Sequence, residues 1–116
     1  MLDIYTLLDK IHSKPGMYLG TVSLSNLYMF LCGYWYAGQL QEAPDFSQDK
    51  EFEKFQPWIE KRFNITASVS WDKIILLFSS NEQHAFERFF QLLDEFKETQ
   101  HLKKVTDAED LARKAS

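Results

Sequence analysis

Apolar residues recur along this chain at spacings of three and four, and the helices they predict can be read off in turn. Ile4, Leu7, Leu8 and Ile11 share one helical face, with Asp3 placed to cap the helix that carries them. The pattern stops at Ser13-Lys14-Pro15-Gly16, where proline fixes its own φ and pushes Lys14 away from helical geometry. Gly16 and Gly20 permit positive φ, and Met17, Tyr18 and Leu19 are apolar enough to enter a core. Residues 14–20 therefore read as a rigid, anchored connection between two helices.

The second helix is expected over residues 24–40, with Ser23 and Ser25 as caps. It carries Leu24, Leu27, Tyr28, Leu31, Trp35 and Leu40, with further apolar residues around its circumference. Apolarity on nearly every side predicts the central, buried helix, and Gly33 in its interior predicts close approach of a neighbouring helix. A loop follows over 41–48, turning at Ala43-Pro44-Asp45. Phe52, Phe55, Ile59 and Phe63 then resume helical spacing, and Pro57 among them predicts a kink or a split into two helices.

Residues 64–80 admit two readings. Ile65-Thr66-Ala67-Ser68-Val69 alternates β-branched with small residues, as a short strand would. Ser70 followed by Trp71-Asp72-Lys73 instead resembles a helix start, a capping hydroxyl with an acid in the first turn. No Gly or Asn sits there to turn a hairpin, which favours the helix. Asn81 caps the clearest helix of all, with Phe86, Phe89, Phe90, Leu93 and Phe96 on one face and Glu87, Arg88, Gln91, Asp94 and Glu95 on the other. Beyond Thr99 the chain turns polar, and Thr106-Asp107-Ala108-Glu109 matches a capping box ahead of a short helix over 108–114. The predicted architecture is all-α: a compact single-domain bundle of five to six helices over 1–99, with 100–116 as a polar tail or short helix. A short β element near 64–79 is the alternative.

Composition narrows the function. Ten Phe, five Tyr and three Trp in 116 residues exclude a disordered chain and predict a core or binding face rich in rings. A net charge of −4 with scattered Lys and Arg argues against nucleic-acid binding, which needs clustered cations. The lone Cys32 excludes an intrachain disulfide and reads as a small buried hydrophobe. The apolar stretch around it is too short to span a bilayer, and Asp3, Asp9 and Lys10 interrupt any signal-peptide pattern, so a cytoplasmic protein is expected.

The titratable residues do not assemble into a recognisable catalytic or metal motif. His12, His84 and His101 lack ligand partners at metal spacing, and His12 suits the C-terminal end of the first helix dipole. No glycine-flanked serine or phosphate-cradling loop occurs. The expectation is a non-enzyme with no cofactor and no metal. What remains is a partner-binding surface. Glu42, Asp45, Asp49, Glu51 and Glu53 crowd a short stretch that is either a solvated loop and helix start or a docking face for a basic protein. Tyr34, Trp35 and Tyr36 precede it and cannot all point inward from one helix. Exposed rings beside acids make Tyr36, Asp45, Asp49 and Glu53 the candidate contact residues.

Two resemblances bear on this. Lys14-Pro15-Gly16-Met17-Tyr18-Leu19-Gly20 resembles a motif near the N-terminus of the DNA gyrase B subunit and its relatives. In those ATPases an acid and an asparagine for magnesium and ATP follow on the next helix. Here that helix begins Leu24-Ser25-Asn26-Leu27-Tyr28 without an acid, so a nucleotide-binding fragment is the lesser alternative. Over residues 2–96, the order of that motif, Leu27-Tyr28, Gly33-Tyr34, Phe55 to Phe63, Ser70-Trp71-Asp72-Lys73 and Phe86 to Phe96 resembles small bacterial immunity proteins. Those are associated with polymorphic toxins of the Rhs and contact-dependent kinds. This resemblance implies a protein that binds a cognate toxin domain and occludes its active or substrate-binding site, with no membrane or nucleic-acid partner. A helical regulatory or dimerising adaptor is the remaining alternative.

Overall fold

The computed structural model describes residues 3–40 and 47–115. They form a helical bundle with no strand among them: α1 Ile4–Ser13, α2 Pro15–Leu19, α3 Leu24–Leu40, α4 Ser47–Phe52, α5 Phe55–Arg62, α6 Trp71–Leu77 and α7 Glu82–Ala115. Setting aside the single turn α2, six helices make up the fold, so the all-α expectation holds and the β alternative at 64–79 does not.

Local chemistry accounts for most helix boundaries. Asp3 caps α1, its Oδ1 accepting from the Thr6 N–H at 2.9 Å. Pro15 opens α2, and Gly20 closes it in the left-handed region at φ 79°, its N–H donating to the Gly16 carbonyl. Ser23 caps α3 by accepting from the Asn26 N–H at 3.1 Å. Asn81 caps α7 by accepting from the His84 N–H at 2.8 Å. Near Pro57 the chain splits into α4 and α5, with the proline inside the first turn of α5, where its missing N–H costs nothing. Ser70 occupies the cap position of α6, but its hydroxyl bonds to Asp72 instead. The Trp71 N–H is taken by Gln56 Oε1 at 2.7 Å, while Gln56 Nε2 donates to the Val69 carbonyl. One glutamine side chain thus fixes the 64–70 connection against α5.

The core is a lattice of rings. Phe55 is fully buried and lies within 5.9 Å, centroid to centroid, of Phe52, Trp58, Trp71, Phe89 and Phe96. These residues come from α4, α5, α6 and the first half of α7. The aliphatic side of the core is Ile4, Leu8 and Ile11 of α1 with Leu24, Leu27 and Leu31 of α3.

Four expectations are revised. α3 is not the central helix: Leu24, Leu27 and Leu31 are buried, whereas Met29, Gly33, Tyr36 and Ala37 face solvent. Gly33 accommodates no neighbouring helix, since a Cβ there would meet nothing within 4 Å. The 14–20 stretch enters the core only in part: Tyr18 and Leu19 pack against it half-buried, Tyr18 edge-on to Phe30 at 6.3 Å, while Met17 points outward. Finally, residues 100–114 do not form a separate helix, because α7 runs unbroken for 34 residues. No Gly or Pro interrupts it, and the Thr106 hydroxyl donates back to the Leu102 carbonyl at 2.9 Å instead of capping a new start. At 1.5 Å per residue this helix is about 50 Å long. It sets the long axis of a molecule 55 × 36 × 27 Å in extent.

Candidate functional site

α3 contains no charged residue anywhere along its length. Its inner stripe is anchored in the core, and its start is held by a remote carboxylate. Glu82 accepts from the Ser25 N–H at 2.9 Å, the Ser25 hydroxyl at 2.6 Å and the Ser23 hydroxyl at 3.2 Å. Burial alone would raise the Glu82 carboxyl, but these hydrogen bonds outweigh it and hold the group below its ordinary value. An acid therefore already fills the anion position at the helix start, the place where a phosphate would otherwise bind. This occupancy argues against the nucleotide alternative.

The helix so fixed turns Met29, Gly33 and Tyr36 to solvent at spacings of four and three. Met29 is 68% exposed and Tyr36 65%, with Asn26 and Ala37 on the same open side. The neighbouring rings have other employment. Trp35 stacks on Phe52 at 5.8 Å, and the Tyr34 hydroxyl donates to Asp49 Oδ2 at 3.0 Å. Of the three consecutive aromatics, Tyr36 is the one left facing outward, as expected for at least one of them.

The acidic stretch is divided. Asp45 lies outside the described residues. Asp49 accepts from the Ile4 N–H at 2.9 Å and from Tyr34, which ties α4 to the start of α1 and to α3. Burial and then the bond to Asp49 push the Tyr34 phenol up to about 12. Glu51 accepts from the Tyr5 hydroxyl at 2.8 Å and pairs with Lys104 at 2.9 Å. Burial opposes ionisation of Glu51, yet the bonds from Lys104 and Tyr5 hold its carboxyl low, and burial with that same bond raises Tyr5. Glu53 stands exposed between α4 and α5. Asp49 and Glu51 are thus structural links, and of the candidate contacts only Tyr36 and Glu53 are seen to be exposed.

Met29 and Gly33 were missed because an apolar helix interior reads as core. The signal that could have found them is the Met-Gly-Tyr run at helical spacing on a helix without a charge. Elsewhere, His12 stacks on Phe90 at 3.9 Å with its Nε2 3.3 Å from Glu87, so it joins α1 to α7 in addition to sitting at the end of α1. Cys32 is half-buried. No group of three or more His, Cys, Asp or Glu among the described residues is placed to hold a metal ion. No helix among them is long and apolar enough to cross a membrane. Compared with protein-family models, curated proteins and solved structures, the chain matches none.

Proposed function

We propose that the chain is an immunity protein that binds a cognate antibacterial toxin domain and occludes its active or substrate-binding site. The observation that carries this reading is the open face of α3, where Met29, Gly33 and Tyr36 form an uncharged, exposed strip on a capped helix. Tyrosine supplies a large contact area at low entropic cost, methionine adapts to irregular surfaces, and glycine lets a partner backbone approach closely. The strip is held rigid from beneath by Leu27 and Leu31, so little ordering is required on binding. Glu53, exposed between α4 and α5, offers an acid for steering a basic partner. The resemblance of the core pattern to immunity proteins points the same way.

The test pairs this chain with the toxic C-terminal domain of a secreted effector encoded beside it. Co-expression should restore growth, and Tyr36→Ala should weaken binding by at least about tenfold, the loss expected for a central aromatic contact. Its melting temperature should stay unchanged. Failure of the unaltered chain to bind or protect would refute the reading for that pair. Stabilisation by ATP with magnesium would favour the nucleotide alternative.

A further inference from the structure

Away from α3, one part of the surface combines exposed apolar groups with unpaired positive charge. It lies where α5 and α6 end side by side. Phe63 and Phe78, the residues just past those helices, stack at 4.8 Å between centroids. Phe78 is 44% exposed and Leu77 is 71% exposed. The Arg62 and Arg88 guanidinium groups stand 5.5 and 6.0 Å from the Phe63 ring centre. Arg62 is committed to Glu95 at 2.9 Å. Among the described residues, Arg88, Lys61 and Lys73 have no carboxylate within ion-pair distance.

The ordinary role for cations at such a place is to satisfy the last carbonyls of a helix. Here backbone N–H groups already take much of that role. At the end of α5, the Phe63, Asn64 and Ile65 N–H groups donate to the carbonyls of Ile59, Lys61 and Glu60. At the end of α6, the Phe78 and Ser79 N–H groups donate to Ile75 and Leu76, and the Ser79 hydroxyl donates to Ile75 as well. Among the described residues, no side-chain hydrogen bond ties Lys61, Lys73 or Arg88 to these helix ends. On a chain of net charge −4 they gather positive charge around an aromatic pair of which Phe78 is exposed.

We propose that Phe63, Leu77, Phe78 and Arg88 form a second docking patch, one that receives an acidic protein segment carrying an apolar anchor. The anchor lies across Leu77 and Phe78, and the carboxylates meet Arg88 and Lys73, which sits one turn before Leu77 on α6. The Phe63 ring pre-positions Arg88, so little side-chain freedom is lost when a carboxylate arrives. A single nucleic-acid strand fits less well. Its bases need open ring faces, and Phe63 already stacks on Phe78 with two guanidinium groups beside it.

The test is a nuclear magnetic resonance titration of the full chain with a synthetic peptide of four Glu around a Leu-Phe pair. The same peptide with Gln for Glu, and a short oligothymidylate, serve as controls. Amide shifts should centre on residues 62–64, 77–79 and 88, and the Glu peptide should bind about tenfold tighter than the Gln peptide at low salt. Arg88→Gln and Leu77→Ser should each weaken binding about tenfold, with unchanged melting temperature. Absent shifts, shifts centred elsewhere, equal binding of the Gln peptide, or tighter binding of the oligothymidylate would each overturn the proposal.

Discussion

Single carboxylates carry much of the tertiary organisation of this molecule. Glu82 is the clearest case, because it satisfies the start of a helix 57 residues away in sequence. Removing such a cap costs about 1 kcal/mol, within a range of 0.5–2. Glu82→Ala should lower stability by that amount at pH 7 in urea titrations. The pH dependence follows from the sign of the shift. The folded-state pKa lies below the unfolded one, so the contribution is full above the ordinary carboxylate range and fades as pH falls through the folded value. The gap between the two proteins should therefore narrow steadily as pH falls below the ordinary carboxylate range; a gap that stays constant through acid titration would remove the carboxylate from the explanation. Asp49 makes a related prediction. Asp49→Ala removes the acceptor of the Ile4 N–H and the Tyr34–Asp49 bond, and should cost about 1–3 kcal/mol. A substitution that lowered affinity for the proposed toxin partner at unchanged stability would instead make Asp49 a contact residue.

Among the elements, α7 divides into two halves of different character. From Ala85 to Phe96 it buries seven residues in the core, whereas every residue from 101 to 114 is exposed. In the outer half Lys104 reaches back to the bundle and pairs with Glu51, while its own side chain is 70% exposed. An exposed pair of that kind contributes at most about 1 kcal/mol. Ending the chain after Thr99 should thus lower stability by no more than about 1 kcal/mol while removing helical circular dichroism in proportion to the residues lost. Hydrogen exchange of the full chain should show weak protection beyond residue 100. A collapse of the fold on truncation would mean that the outer half packs more tightly than its exposure indicates. The same helix marks where sequence reasoning succeeds and where it fails. Its start was legible, since Asn81 and the Phe86, Phe89, Phe90, Leu93 and Phe96 face are local patterns. Its continuation was not, because the Thr106 to Glu109 pattern suits a new helix start and an unbroken helix equally well. α3 fails for a different reason: hydrophobicity without charge does not say which side is covered. The acids of α4 fail for a third, since their partners Ile4 and Tyr5 lie 45 and 46 residues away.

At the scale of the whole molecule, stability converges on one side chain. Phe55 has no solvent exposure and is ringed by Phe52, Trp58, Trp71, Phe89 and Phe96, which together join four helices. Replacing it with alanine removes the shared contact of all five rings. Those neighbours are rigid and already engaged with one another: Trp71 stacks on Phe89 at 4.9 Å, and Trp58 meets Phe96 at 5.6 Å. They cannot collapse into the space, so the cost should fall within the 3–5 kcal/mol found for large aromatic truncations in cores. Against a total of about 5–15 kcal/mol for a domain, that is a large fraction, and the melting temperature should fall by on the order of 20 °C. Phe55→Leu, which keeps most of the volume, should lose less than half as much. Tyr36→Ala, out on the open face, should leave the melting temperature where it is. Calorimetry on these three variants separates the ring lattice that holds the helices together from the surface proposed to bind a partner. A Phe55→Ala protein within 1 kcal/mol of the unaltered chain would show that the lattice does not have this centre.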